Sequence, residues 1–73
     1  MGIYIRTDND KFFVTDPVEL KSDFENDYWK IYRENELVLL VPKNSVRFIL
    51  TNISYEYFQS TLNIDLKRSC VII

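Results

Sequence analysis

Asp23, Glu25 and Asp27 alternate along a short polar stretch, which is the spacing of oxygen donors around a bound calcium ion. The stretch has no glycine at the bend and no distal bidentate Glu, so we expect a solvated acidic turn and no metal. Tyr28, Lys30 and Tyr32 also alternate and share one face if the segment is a strand, giving two phenol rings around an ammonium group. Such a surface binds by stacking, cation–π attraction and hydrogen bonding, and with the acids at 23, 25 and 27 it is the candidate binding site for another protein. A second grouping sets Lys30, Arg33, Lys43 and Arg47 among Tyr28, Trp29 and Tyr32. Cations beside aromatic rings can hold single-stranded nucleic acid. Catalysis has little to work with: the chain has no His, a sole Cys (Cys70) and a sole Gly (Gly2), which removes most nucleophile–base pairs and phosphate-cradling loops. Paired carboxylates remain, but so small a chain hardly encloses the cleft they need. We therefore expect no enzyme and no cofactor.

Positioning these groups falls to 73 residues, 47% of them apolar and 15% aromatic. That length allows one domain, 1–73, which buries only about 60% of its unfolded surface. One cysteine excludes a disulfide framework, and one Cys without His excludes a Cys/His zinc site. There is no apolar run of spanning length and no apolar stretch before Arg6 and Asp8 that reads as a secretory signal, so the expectation is cytoplasmic. The net charge of −2 hides a division. Residues 8–27 carry seven acids and two lysines, whereas residues 28–73 carry four acids and six bases. Solvated loops are the simpler reading of the acidic stretch, and the acidic pI of about 4.9 opposes nucleic acid. Phe, Tyr, Met, Ile, Asn and Lys total 30 residues against seven of Gly, Ala, Arg and Pro. This points to an AT-rich gene, such as that of a low-GC bacterium, its phages or its mobile elements.

The pattern is mainly β. Ile3-Tyr4-Ile5 and Phe12-Phe13-Val14 flank turn-forming Thr7-Asp8-Asn9-Asp10 and read as a hairpin, which Asp16-Pro17 ends. Val18 and Leu20 alternate with Glu19 and Lys21 as a short strand, and residues 22–27 read as a loop. In the strand Tyr28–Tyr32, burying Trp29 with Ile31 leaves Tyr28, Lys30 and Tyr32 outward, whereas the opposite register makes Trp29 the exposed anchor; alternation alone does not choose, and burial of the larger Trp29 is the expectation. After a turn at Arg33–Glu36, Leu37–Val41 is apolar on both faces, as in a central buried strand. Pro42–Ser45 breaks it, and Val46, Phe48 and Leu50 then share one face of a further strand. Ser54 can cap a short helix over 54–62 with Tyr55, Phe58 and Leu62 on its inner side. Residues 63–66 alternate like a strand, and 68–73 form a last strand or a tail.

Tyr28-Trp29 followed by Pro42-Lys43-Asn44-Ser45-Val46-Arg47-Phe48-Ile49 resembles the second half of an SH3-like domain. There an aromatic pair opens a strand, and a Pro-x-Asn-x-Val-x-x-Ile segment makes a 3₁₀ turn into the last strand. The resemblance implies a small antiparallel sheet or SH3-like barrel of about five strands. It does not imply proline-helix recognition: Ser45 stands where the family's groove has Tyr, and the N-terminal Ala-Leu-Tyr-Asp-Tyr segment is missing.

These features favour a non-catalytic protein-interaction module, an accessory or inhibitory protein of a phage or mobile element that binds a host protein through an edge strand or the aromatic and acidic surface. The alternative is a small-barrel nucleic-acid-binding protein using Lys30, Arg33, Lys43 and Arg47. A homo-oligomer would complete the burial of several apolar strands. The segment Cys70-Val71-Ile72-Ile73 fits the prenylation pattern with Lys67-Arg68 upstream, but Ile is not a favoured final residue. An apolar strand on the sheet is the simpler expectation, without a membrane partner.

Overall fold

A computed structural model describes residues 1–15, 18–62 and 70–73. The fold is mainly β, with two sheets. Strands β1 (Gly2–Thr7), β2 (Lys11–Val14), β6 (Val46–Ile53) and β7 (Cys70–Ile72) form a four-stranded sheet in the order β6-β1-β2-β7. Strands β3 (Glu19–Asp23), β4 (Tyr28–Arg33) and β5 (Glu36–Pro42) form a three-stranded sheet in that order. A 3₁₀ turn over Lys43–Ser45 carries the chain from one sheet to the other. The sequence leads one to expect about five strands in a single sheet or barrel; seven strands in two sheets, without barrel closure, replace it among the described residues.

The first hairpin forms as its residues dictate. Thr7 closes the turn through its main-chain N–H and hydroxyl, which donate to the Asp10 carbonyl at 2.9 and 3.2 Å, while its Oγ1 accepts from the Asp10 N–H at 2.9 Å. The register Ile3↔Val14 and Ile5↔Phe12 puts all four side chains on one side of the sheet. There Ile3, Ile5 and Val14 meet Ile31 and Val41 of the other sheet, with Phe12, Trp29, Leu39 and Ile49 around them. Tyr4 and Phe13 point to the opposite side and are covered by Phe58, with Leu50, Ile53 and Leu62 at the margins. The four-stranded sheet is thus the middle of three layers, which is why β1 and β2 are apolar at consecutive positions.

The third layer is the expected helical segment. Ser54 caps it, accepting from the Tyr57 N–H at 3.1 Å. An α turn over Tyr55–Tyr57 runs into a wider π turn over Phe58–Leu62. Phe58 is fully buried and stacks on Phe13, ring centroids 4.3 Å apart. Residues 63–66 and the break at Asp16-Pro17 lie outside the described residues, as do residues 68 and 69 of the expected final strand. Cys70–Ile72 does form a strand, and it runs parallel to β2 rather than antiparallel.

Two strand expectations need correction. Leu37–Val41 lies in an edge strand, not a central one: among the described residues β5 pairs only with β4, and Leu37 and Leu40 are 45% and 46% exposed. The central strand of that sheet is β4. Val46 does not share a face with Phe48 and Leu50. The pairs Arg6↔Phe48 and Thr7↔Val46 leave Arg47 as a bulge residue, which turns Val46 to the inter-sheet core beside Ile49. A second bulge precedes Ile53, where Asn52 takes a left-handed φ of 62°.

Candidate interaction surface

Strand pairing decides which side chains meet. Cross-strand partners Leu20↔Ile31↔Leu39 and Ser22↔Trp29↔Val41 face the inter-sheet core. The alternate rows Glu19↔Tyr32↔Leu37, Lys21↔Lys30↔Leu40 and Asp23↔Tyr28↔Pro42 face outward. Tyr28, Lys30 and Tyr32 therefore share the outer face, together with Asp23. Trp29 and Ile31 are turned inward, Ile31 completely buried. Among the described residues, neither hydrophobic cluster reaches this outer face.

Its charges are matched within the face. Lys30 Nζ lies 3.1 Å from Asp23 Oδ2 and Lys21 Nζ lies 3.7 Å from Glu19 Oε1, with the Lys21 ammonium also 5.1 Å from the Tyr32 ring centroid. Asp23 has a further, local duty. Its carboxylate accepts from the Asn26 side-chain amide at 3.0 Å and the Asn26 main-chain N–H at 3.2 Å, closing the turn. Hydrogen bonds from Asn26 and then Lys30 pull its pKa down to about 2. The hydrogen bond to Asp23 in turn raises that of Lys30.

The chain reverses over residues 24–27, shorter than the expected loop 22–27 because β3 runs on to Asp23. Asp27 adopts φ 59° and its carbonyl accepts from the Lys43 N–H at 2.9 Å. Glu25 and Asp27 are exposed in the turn and belong to the rim of the surface. Phe24, between the acids, is 85% exposed. Among the described residues no cluster of acids, Cys or His could hold a metal ion.

The four basic residues of the nucleic-acid alternative do not converge. Lys30 is on the outer face with Asp23. Arg33 turns back, its guanidinium donating to the Thr15 carbonyl at 2.8 Å and the Ile73 main-chain oxygen at 2.7 Å. Lys43 donates to Ser22 Oγ and sits over the rings of Phe24 and Trp29, 4.4 and 4.9 Å from their centroids. Arg47, in the other sheet, pairs with exposed Asp8 at 3.3 Å. The acidic stretch 8–27 is likewise divided: Asp8 and Asp10 sit at the first hairpin turn, Glu19 and Asp23 on the outer face, and Asp16 lies outside the described residues.

Sequence reasoning missed Leu37, Leu40 and Phe24. The two leucines were concealed in an apolar run that looked internal; the signal was Pro42, which ends β5 and sends the next strand to the other sheet. Phe24 was hidden by its polar neighbours. Cys70 is half-buried beside β2, and burial raises its thiol pKa. No helix is long and apolar enough to cross a membrane among the described residues. No protein-family model, curated protein or solved structure matches the chain.

Proposed function

We propose that this chain is a non-catalytic protein-interaction module that engages another protein through the outer face of the β3-β4-β5 sheet and the adjoining edge of β5. One observation carries the reading: Tyr28, Tyr32, Leu37 and Leu40 share a face that neither hydrophobic cluster covers among the described residues, and on it the lysines are already paired with carboxylates. A partner can cover such a face without stranding an unpaired ion. Phosphate binding is less suited to it, because Lys21 and Lys30 would first have to leave Glu19 and Asp23. The AT-rich residue usage supports a small accessory or inhibitory protein of a phage or mobile element acting on a host protein. Distant kinship with SH3-like domains belongs to the same reading, supported by the 3₁₀ turn over Lys43–Ser45 that leads into β6.

Photo-crosslinking in cells of the source organism tests this. A benzoylphenylalanine in place of Tyr32 should give a discrete protein adduct, whereas the same group in place of Glu56, on the far helical layer, should not. Equal labelling at both positions, or none at Tyr32, would defeat the proposal.

A further inference from the structure

Among the described residues the two sheets have four edges, and three are protected in the ways soluble proteins protect them. Strand β3 alternates charges along its length, with Glu19, Lys21 and Asp23 on its outer side. Strand β6 carries Arg47 and is broken by two bulges, and β7 is three residues long. Strand β5 differs. Its seven residues carry one bulge, at Val38, but include the uncharged run Leu37-Val38-Leu39-Leu40-Val41; among the described residues its main chain pairs with β4, and at its end the Pro42 carbonyl accepts from Ser45 Oγ at 2.9 Å.

The direction of its free groups follows from Pro42. Antiparallel partners alternate between pairs that exchange hydrogen bonds and pairs that do not. Proline has no N–H, so Tyr28↔Pro42 is a pair of the second kind, in agreement with the Lys43 N–H turning toward Asp27. Two residues earlier, Lys30↔Leu40 is then of the same kind. The N–H and C=O of Leu40 therefore point away from β4, out of the sheet edge.

We infer that the occupant of this edge is a second copy of the chain, pairing β5 antiparallel to β5 about a two-fold axis at Leu40 and making one six-stranded sheet. This rests on the surface reading above and assigns the β5 edge to a second copy, leaving the outer face to the other protein. The arrangement is self-complementary, as a two-fold contact requires. Leu40 exchanges both main-chain hydrogen bonds with Leu40 of the second copy, and the two side chains meet on the outer face. Leu39 comes opposite Val41 of the other copy, both on the core side, so the inner apolar row continues across the junction. The acidic start of β5 at Glu36, with Glu34 in the turn before it, lies toward Lys43 of the other copy, just past the end of its β5. Pro42 lacks the donor for a full exchange with Val38 of the other copy, its carbonyl already accepts from Ser45 Oγ, and Val38 is a bulge residue, which limits the ladder to its central bonds. The buried strip, about 24 Å by 15 Å or roughly 350 Å² per copy, is under half of a standard interface, so the dimer is weak and reversible. Its dissociation constant is expected on the order of 100 µM.

Sedimentation equilibrium of the full chain from about 10 µM to 1 mM, with amide hydrogen exchange at both ends of that range, tests the inference. The weight-average mass should rise from 8.8 kDa toward twice that value. The Leu40 amide should become about fourfold more protected at the high concentration, because with that constant roughly a fifth of the chain is still monomer there. Leu40→Lys, at a position 46% exposed, should remain folded by circular dichroism and stay monomeric. A chain that stays monomeric at 1 mM overturns the inference, and so does a dimer whose Leu40 amide exchanges as fast as in the monomer. The exchange measurement needs no variant, so it decides the matter even if Leu40→Lys misfolds. A monomer whose residue 32 still crosslinks to a different protein removes the second copy and leaves the surface reading standing; absence of any adduct at residue 32 removes the surface reading itself.

Discussion

The guanidinium of Arg33 lies 2.7 Å from the main-chain oxygen of Ile73, forty residues further along the chain. The same group donates from Nε and Nη2 to the Thr15 carbonyl, at 3.2 and 2.8 Å, and from Nη2 to the Thr15 hydroxyl at 3.0 Å. One side chain at the end of β4 thus ties the three-stranded sheet to the exit of β2 and to the residue after β7. Arg33→Met keeps the aliphatic stem and removes the donors. It should cost about 2 kcal/mol, the usual range for hydrogen bonds from a charged group. Urea denaturation would check this, and an unchanged midpoint would mean the clamp adds nothing.

Phe58→Ala should be the most damaging of the single changes considered. The ring has no exposed surface and stacks on Phe13 with an interplanar angle of 13°. Truncating a buried phenylalanine costs about 3–5 kcal/mol, a large part of the ~5–15 kcal/mol that holds a small domain together. Thermal unfolding should show the loss, and Phe58→Leu should recover part of it.

The carboxyl of Asp23 should titrate with a midpoint of about 2 by carbon NMR, not near its ordinary value of 3.8. Because the folded pKa is depressed, the local contribution to stability is fully present above the unfolded value. It is lost as pH falls from 3.8 toward about 2. In Asn26→Ala the midpoint should move up toward 3.8, since Asn26 supplies the largest share of the effect.

How much of this was legible beforehand differs by element. The first hairpin, the shared face of Tyr28, Lys30 and Tyr32, and the Ser54-capped helical segment follow from local rules of alternation, turn chemistry and capping; that this face is the outward one is set by the packing of Trp29 and Ile31 against the other sheet. What escaped depends on neighbours distant in sequence. An apolar run such as Leu37–Val41 reads identically in a central strand and in an unprotected edge. The displaced face of Val46 arises from a bulge set by its pairing with Thr7, and no local pattern announces it. The duty of Arg33 is likewise invisible in its own segment, because its acceptors are at positions 15 and 73.

Acrylamide quenching of the sole tryptophan should be weak, because Trp29 packs inward and the Lys43 ammonium sits 4.9 Å from its ring centroid. Lys43→Ala uncovers the indole and should increase the quenching constant measurably. The stability change should be small, about 0.5–1 kcal/mol, as for other cation–π contacts near solvent. Strong quenching in the parent chain would contradict the inward placement.

Gly2→Ala should destabilise the fold although its neighbours are apolar. A Cβ built there would meet the Val14 carbonyl oxygen at 2.4 Å and the Phe13 ring at 2.8 Å. Main chain cannot step aside as a side chain can, so about 1–3 kcal/mol of overpacking is expected. A melting temperature equal to that of the parent would rule out the close approach.

The parallel pairing of β7 with β2 has a consequence for the birth of the molecule. Lys11 is paired in register with Cys70, so the middle layer remains incomplete until residues 70–72 have been made. The three-stranded meander, whose partners are neighbours in sequence, can assemble much earlier. During that interval β1 can gain β6 on one side, while the other edge of β2 stays open. Synthesis that pauses before residue 70 should therefore leave a half-folded species dependent on chaperones.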